Sequence, residues 1–492
     1  MDSGARLSAI DAAFLYFEKP GQPLVVACLV ELDANLSYPR LLETIGARLA
    51  TIPRLRQRPQ RVALDVEAPV WAGDPQFQLE RHIRHAAWPQ PGDDAALRDA
   101  LERLLAPPLD PEHPLWEAIL LEGGARGRSA LLFRAHHCML DGMSGARLLE
   151  LLTDPLETST PAAEPPPAQG RAPRLLDSFA GTDQLWDRAK DVAEIASTLL
   201  SFLQEQEAPA TSFNASLSAR RRICWTTLPW KDVAAIRSQA GCTSNDIALA
   251  VISGGLRRYI RRHDRGGARE ALRALVPVSV RSERGDTSMG NLFSAMFPKL
   301  PVHIQDAEER LRAVVRETRA LKERGQPRAT ALLLGALASL PNALGAALPG
   351  LLPDTPIFNT ICTNVPGPRE PRTLAGVKIR AVHGVVPLYQ SMGIEFAVMN
   401  HADSWSLCAH IDPELVPDEE ALMSDLEKSF QELRRAHHRN MRTIAEPDSR
   451  PRLRRPNARY KRPESLSSAV KMMAEADAAE RQARTRTRRR SV

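Results

Sequence analysis

The chain lacks the usual sequence devices for holding a metal ion or a disulfide framework. Its six cysteines (Cys28, Cys138, Cys224, Cys242, Cys362 and Cys408) are scattered singly, without a CxxC or HExxH motif. They read as reduced thiols of a cytosolic protein, and no metal or cofactor is expected. The opening MDSGARLSAIDAAF has no basic segment followed by an apolar run, so no secretory signal is read there. There is no short-period repeat. No nucleic-acid-binding signature occurs either, which counts against a nucleic-acid partner.

What is present fits a soluble globular protein: 43% hydrophobic and 25% charged residues over 492 positions. That length exceeds one hydrophobic core and suits two domains. The net charge of +6 misleads until it is divided. From Arg450 to Val492 the chain carries fourteen Lys/Arg and four Asp/Glu, a balance of +10, which leaves the body at −4. The arginine-rich end, including RTRTRRR at 484–490, reads first as a disordered solvated tail. Contact with nucleic acid or anionic lipid is the sharper alternative.

One stretch carries chemistry. Residues 136–142 read HHCMLDG, directly after the apolar, strand-like SALLFRA (129–135). Histidine titrates near neutrality and can take and return a proton within one turnover. Asp141 can orient an imidazole or lock its loop, and Gly142 permits a sharp turn. Histidine pairs also occur as plain core or surface residues. The second pair, His437-His438, has no Asp-Gly after it and reads as a solvated helix end. The full seven-residue pattern at a strand end is what singles out the first pair.

The organisation divides into an N-terminal half (1–157), a proline-rich linker with a crossover helix (158–220), a C-terminal half (221–445) and the basic tail (446–492). Strands are read at 24–32, 129–135, near 221, and at 271–280, 291–300 and 357–365. IEFAVM and WSLCAHI form a hairpin across NHADS, and helices are read at 93–109 and from about Asn245. The fold class is therefore α/β, α+β layered, as two units with a cleft between them. Residues 329–353 carry no charge. They read equally as buried helices or as apolar helices lying on a membrane or lipid-droplet surface, since Pro341 and Pro349 interrupt a membrane span.

With HHCMLDG, an ordered set of further segments resembles the bacterial wax ester synthase/diacylglycerol acyltransferase family, within the HHxxxDG superfamily. These are LSAIDAAFLYFE (7–18), PRLRQR (53–58), Pro114-Leu115-Trp116, Asn245-Asp246, VPVSVR (276–281), Gly290-Asn291 and NVPGP (364–368). The resemblance covers about residues 5–440. It implies two chloramphenicol-acetyltransferase-like domains, each a mixed sheet with helices, and an active site in the tunnel between them. It implies transfer of a long-chain acyl group from acyl-CoA, a co-substrate, to diacylglycerol or a long-chain alcohol, without a covalent intermediate. It also implies His137 as general base, with His136 packing or donating structurally. Asp141 would support the loop, with Arg281 a candidate partner. Asn245 is the side-chain candidate for the oxyanion, with helix N-capping an equally good reading. Pro114-Leu115-Trp116 would be structural or wall-forming, NVPGP a rigid turn, and Gly290-Asn291 a tight turn. The implied location is cytoplasmic, peripheral at the inner face of the plasma membrane or on lipid droplets. A condensation-type enzyme using carrier-bound acyl groups and a non-catalytic lipid-binding relative stay open as alternatives.

Overall fold

The computed structural model describes residues 5–19, 21–61, 68–156, 208–264, 266–279, 291, 293–327, 330–331 and 357–445. The expected linker and crossover helix, Arg281, Gly290, nearly all of the 329–353 stretch and the tail from 446 lie outside the described residues.

Two mixed sheets organise the chain. The first runs, in spatial order, β4 (Ile83–Ala87), β5 (Trp116–Gly124), β6 (Arg128–His136), β1 (Val25–Leu32), β14 (Val377–Val385), β13 (Arg372–Leu374) and β7 (Asp154–Pro155). The second runs β10 (Phe293–Met296), β9 (Leu272–Ser279), β12 (Thr360–Val365), β15 (Ile394–His401), β16 (Ser404–Ile411) and β8 (Arg222–Pro229). The short β11 (Lys299–Leu300) pairs with β9. β2 (Gln57–Gln60) and β3 (Val70–Gly73) form a separate ribbon. The helices that matter for the site are α1 (Ala9–Phe17), α5 (Gly142–Leu152) and α7 (Ser244–His263). Others cover the sheet faces: α2 (Tyr38–Arg48), α3 (Leu79–His82), α4 (Asp94–Leu105), α6 (Trp230–Ala240), α8 (Ala307–Glu323) and α9 (Glu419–Ala445).

The local rules are plain. Ser8 starts α1 by accepting from the Asp11 amide at 3.1 Å, and Asp93 starts α4 by accepting from Ala96 N at 2.9 Å. The expected hairpin forms between β15 and β16, with His401 opposite Ser404. Ala402 takes the tight turn at a left-handed φ of 47°. The central strand β6 is buried on both faces from Ser129 to His136 and apolar from Ala130 to Phe133, with Arg134 bonded to Glu117, Leu104 O and Pro107 O.

The two halves by sequence are interwoven in space. β13 and β14, from beyond residue 370, join the first sheet; Ala27 pairs with Val385 and Cys28 with Gly384. One apolar core gathers Leu29, Leu97 and Leu132 of the first half with Ile223, Val385 and Cys408 of the second. Beside it runs a buried polar chain: His383 Nε2 lies 2.9 Å from Glu31 Oε1, and Nδ1 lies 2.6 Å from Ser406 Oγ. Burial opposes ionisation of Glu31, yet the His383 bond and the nearby Arg380 and Arg128 hold its carboxyl below the ordinary range. His383→Ala leaves Ser406 and one face of Glu31 without their buried partner. It should lower stability by about 2–3 kcal/mol, read as a lower urea midpoint.

Candidate active site

The HHCMLDG segment leaves β6 at His136, turns through 137–139, and enters α5 at Gly142. Asp141 is the N-cap of α5 and accepts from the Ser144 amide at 2.7 Å. Its carboxylate thus anchors the loop to the helix, stabilised by the amide dipoles of the first turn.

The two histidines are held differently. His136 is buried and occupied at both nitrogens: Nδ1 accepts from Cys138 N at 3.1 Å, and Nε2 faces Glu18 Oε2 at 3.1 Å. Burial raises the Glu18 carboxyl, but the His136 bond and charge outweigh it and lower its pKa. The His137 ring is half-buried and stacked on Phe14, with centroids 3.9 Å apart and planes 8° from parallel. Burial pushes its imidazole down to about 4, so the ring is neutral at physiological pH and able to accept a proton. Its backbone is tied from two sides: the amide donates to Leu24 O at 2.8 Å, and the carbonyl accepts from Asn291 Nδ2 at 2.7 Å.

Most of the groups that hold this loop were not singled out from sequence. Asp11, Phe14 and Glu18 stand three and four residues apart at α1 and its C-cap, on one helical face, and all three address the loop or its partners. Asp11 Oδ1 accepts from Asn291 N at 2.9 Å and Asn291 Nδ2 at 2.7 Å. Burial raises the Asp11 carboxyl, opposed by the Asn291 and Ser8 bonds and by the charge of Arg54. The 11/14/18 spacing within LSAIDAAFLYFE is the sequence signal for this face. Asn291, expected as a tight turn, is a buried bridge instead.

Asn245 is not the helix cap. Thr243 caps α7 in a reciprocal box with Asp246, which also accepts from Thr318 Oγ1 at 2.7 Å. Asn245 sits in the first turn, half-buried, with no side-chain hydrogen bond among the described residues. NVPGP links the start of α7 to the start of α5. Asn364 Nδ2 donates to Ser244 Oγ at 3.3 Å, while Val365 packs on Gly142. A Cβ at position 142 would lie 2.5 Å from Val365 Cγ2. Gly142→Ala must therefore push α5 off β12; a loss of about 1–3 kcal/mol in stability and a clear fall in turnover are expected from melting curves and initial rates. The Trp116 of Pro114-Leu115-Trp116 is buried, donates to Leu55 O at 2.7 Å and stacks between His82 and Phe133. It is a structural residue of the core. Among the described residues no group of three or more His, Cys, Asp or Glu could hold a metal.

With this geometry in place, comparison with known proteins is decisive. The model of the wax ester synthase/diacylglycerol acyltransferase catalytic domain matches residues 7–248, and that of the family's C-terminal domain matches 289–434. The chain belongs to the wax ester synthase/diacylglycerol acyltransferase family. It is an acyltransferase. A Mycobacterium tuberculosis protein named as a diacylglycerol O-acyltransferase is 31% identical over 439 residues, covering 84% of this chain and 87% of its own length. Another from that organism, named likewise, is 33% identical over 450 residues, covering 87% and 99%. The solved wax ester synthase/diacylglycerol acyltransferase of Marinobacter aquaeolei VT8 shares the fold with a TM-score of 0.64 at 24% identity, covering 88% of this chain and all of that one. A starter condensation domain of rhizomide synthetase also shares it, at 0.55 and 16% identity, covering 89% and 95%. The expected two-sheet architecture is thereby found in a family member's own structure. No helix among the described residues is long and apolar enough to cross a membrane.

Proposed function

We propose that this wax ester synthase/diacylglycerol acyltransferase family member moves a long-chain acyl group from acyl-CoA to the hydroxyl of diacylglycerol or of a long-chain alcohol, with His137 as general base. The observation that carries this reading is the His137 imidazole: neutral, stacked on Phe14, and placed at the loop where α5 meets β12. Its Nδ1 is buried, and Nε2 is assigned to meet the substrate hydroxyl.

An alcohol is a poor nucleophile while it keeps its proton. His137 removes that proton as the alcohol oxygen bonds to the thioester carbon; the C–S bond then breaks, and the imidazolium returns the proton to the departing thiolate. Developing charge on the carbonyl oxygen needs a donor, and the Asn245 amide, free of the capping duty that Thr243 performs, is assigned to it. Asp141 supports the loop as helix cap rather than touching the imidazole, unlike the aspartate of a serine-protease triad. Apolar surroundings keep water from competing for the thioester. The acceptors are insoluble lipids, so action at a membrane or lipid-droplet surface on the cytoplasmic side follows, with residues 329–353 the sequence candidate for that contact.

The test is a substrate panel with purified protein. Palmitoyl-CoA is supplied with dioleoylglycerol, hexadecanol or no acceptor, and free CoA is followed. Release that requires an acceptor, with intersecting double-reciprocal plots, supports direct transfer in a ternary complex. Parallel plots would mean a covalent acyl-enzyme, and turnover only with acyl-carrier protein would mean a condensation-type donor.

A further inference from the structure

We propose that Asn291 is a positioning residue for His137, through which the second half of the chain sets the orientation of the catalytic loop. The inference rests on the reading of His137 as the base.

His137 sits outside both β6 and α5, so no regular element fixes its peptide groups. Its amide is fixed by the first half, through Leu24 O. Its carbonyl is fixed by Asn291, which stands immediately before β10 in the second half. Asn291 can do this because its own placement is set by Asp11: backbone N–H and one side-chain N–H both donate to the same carboxylate oxygen, which frees the other side-chain N–H for His137. An amide is required at this position. A carboxylate there would face the His137 carbonyl with no hydrogen to offer, and an aliphatic chain would take the donor from that carbonyl and leave Asp11 only the backbone N–H. Asp11 in turn belongs to the helix face whose Phe14 stacks on the His137 ring. Backbone and ring of the base are therefore oriented by one unit, α1 with Asn291, closed only when the second half supplies its residue. Misplacing a catalytic group by about an ångström is enough to cost on the order of a hundredfold in rate.

The decisive comparison is between N291A, D11A and the exchanged pair D11N/N291D. The exchange restores an amide–carboxylate contact between the positions but removes the donor to the His137 carbonyl. With saturating acyl-CoA and acceptor, N291A should lower kcat by about a hundredfold while KM stays within about threefold. The exchanged pair should recover the melting temperature lost in N291A and leave kcat low. Recovery of kcat with the melting temperature would overturn the proposal, since Asn291 would then act only as mortar. Should the exchanged pair not fold, kcat per folded molecule decides: a loss of more than tenfold in N291A at unchanged KM supports positioning, and a smaller loss refutes it. H137A is run alongside. If it keeps wild-type turnover, the base assignment itself falls, a result separable from any of these.

Discussion

Replacing His137 with alanine should lower kcat by about a hundred- to ten-thousandfold, the contribution of a well-placed general base, with little change in melting temperature. The second half of that expectation comes from how the residue is held. Its hydrogen-bonded ties to the scaffold at N–H and C=O run to Leu24 and Asn291, and alanine keeps both, losing the stack on Phe14. His136→Ala is the contrast. That ring is buried and bonded at both nitrogens, so its loss removes the partner of Cys138 N and leaves Glu18 facing an empty space. The variant should melt earlier, and its activity loss should follow the folded fraction. CoA release at saturating substrate, read beside thermal melts of the same samples, separates the two. His137→Ala turnover within threefold of wild type would remove the imidazole from the mechanism.

The pH profile should be as distinctive. A base must be unprotonated to act, so kcat/KM falls as pH drops through the pKa of the free enzyme's imidazole. With His137 pushed down to about 4 by burial, the acid limb lies there and not near 6.5. At pH 5 about nine-tenths of the full value should survive, whereas an ordinary histidine would leave about 3%. His401 and His410 are also pushed down to about 4, so acid unfolding needs its own control: activity must return on bringing the sample back to pH 7.5. Phe14→Ala exposes the ring to water, which favours the imidazolium and moves the limb upward towards 6.5. At pH 5 this variant should lose far more of its pH 7.5 rate than wild type does. An unchanged limb in Phe14→Ala would show that the stack does not shield the base.

Much of this site was legible because its chemistry is local. HHCMLDG displays two histidines, a helix-capping aspartate and a glycine within seven residues, and each is where the spacing suggests. The strands at 25–32, 128–136 and 222–229 announce themselves as short, largely apolar runs. What stayed hidden depends on residues far apart. Asn291 looks like a turn residue until Asp11, 280 positions earlier, is folded against it. Asn245 looks like a helix cap until Thr243 is seen to hold that post. β14 was passed over although VKIRAVHGV alternates exposed Lys378 and Arg380 with buried Val377, Ile379 and Ala381. Its mixed charges obscure the period of two, and no local feature reveals that its neighbour is β1.

That placement has a consequence for anyone wishing to divide the protein. Fragments cut between β7 and β8 would not be two self-sufficient bodies. The leading piece would bare the hydrogen-bonding rim of β1 that β14 normally covers, a sticky ledge inviting aggregation. Co-expressed with the trailing piece it should be rescued, in the manner of a split reporter, because the missing strand arrives from the other polypeptide.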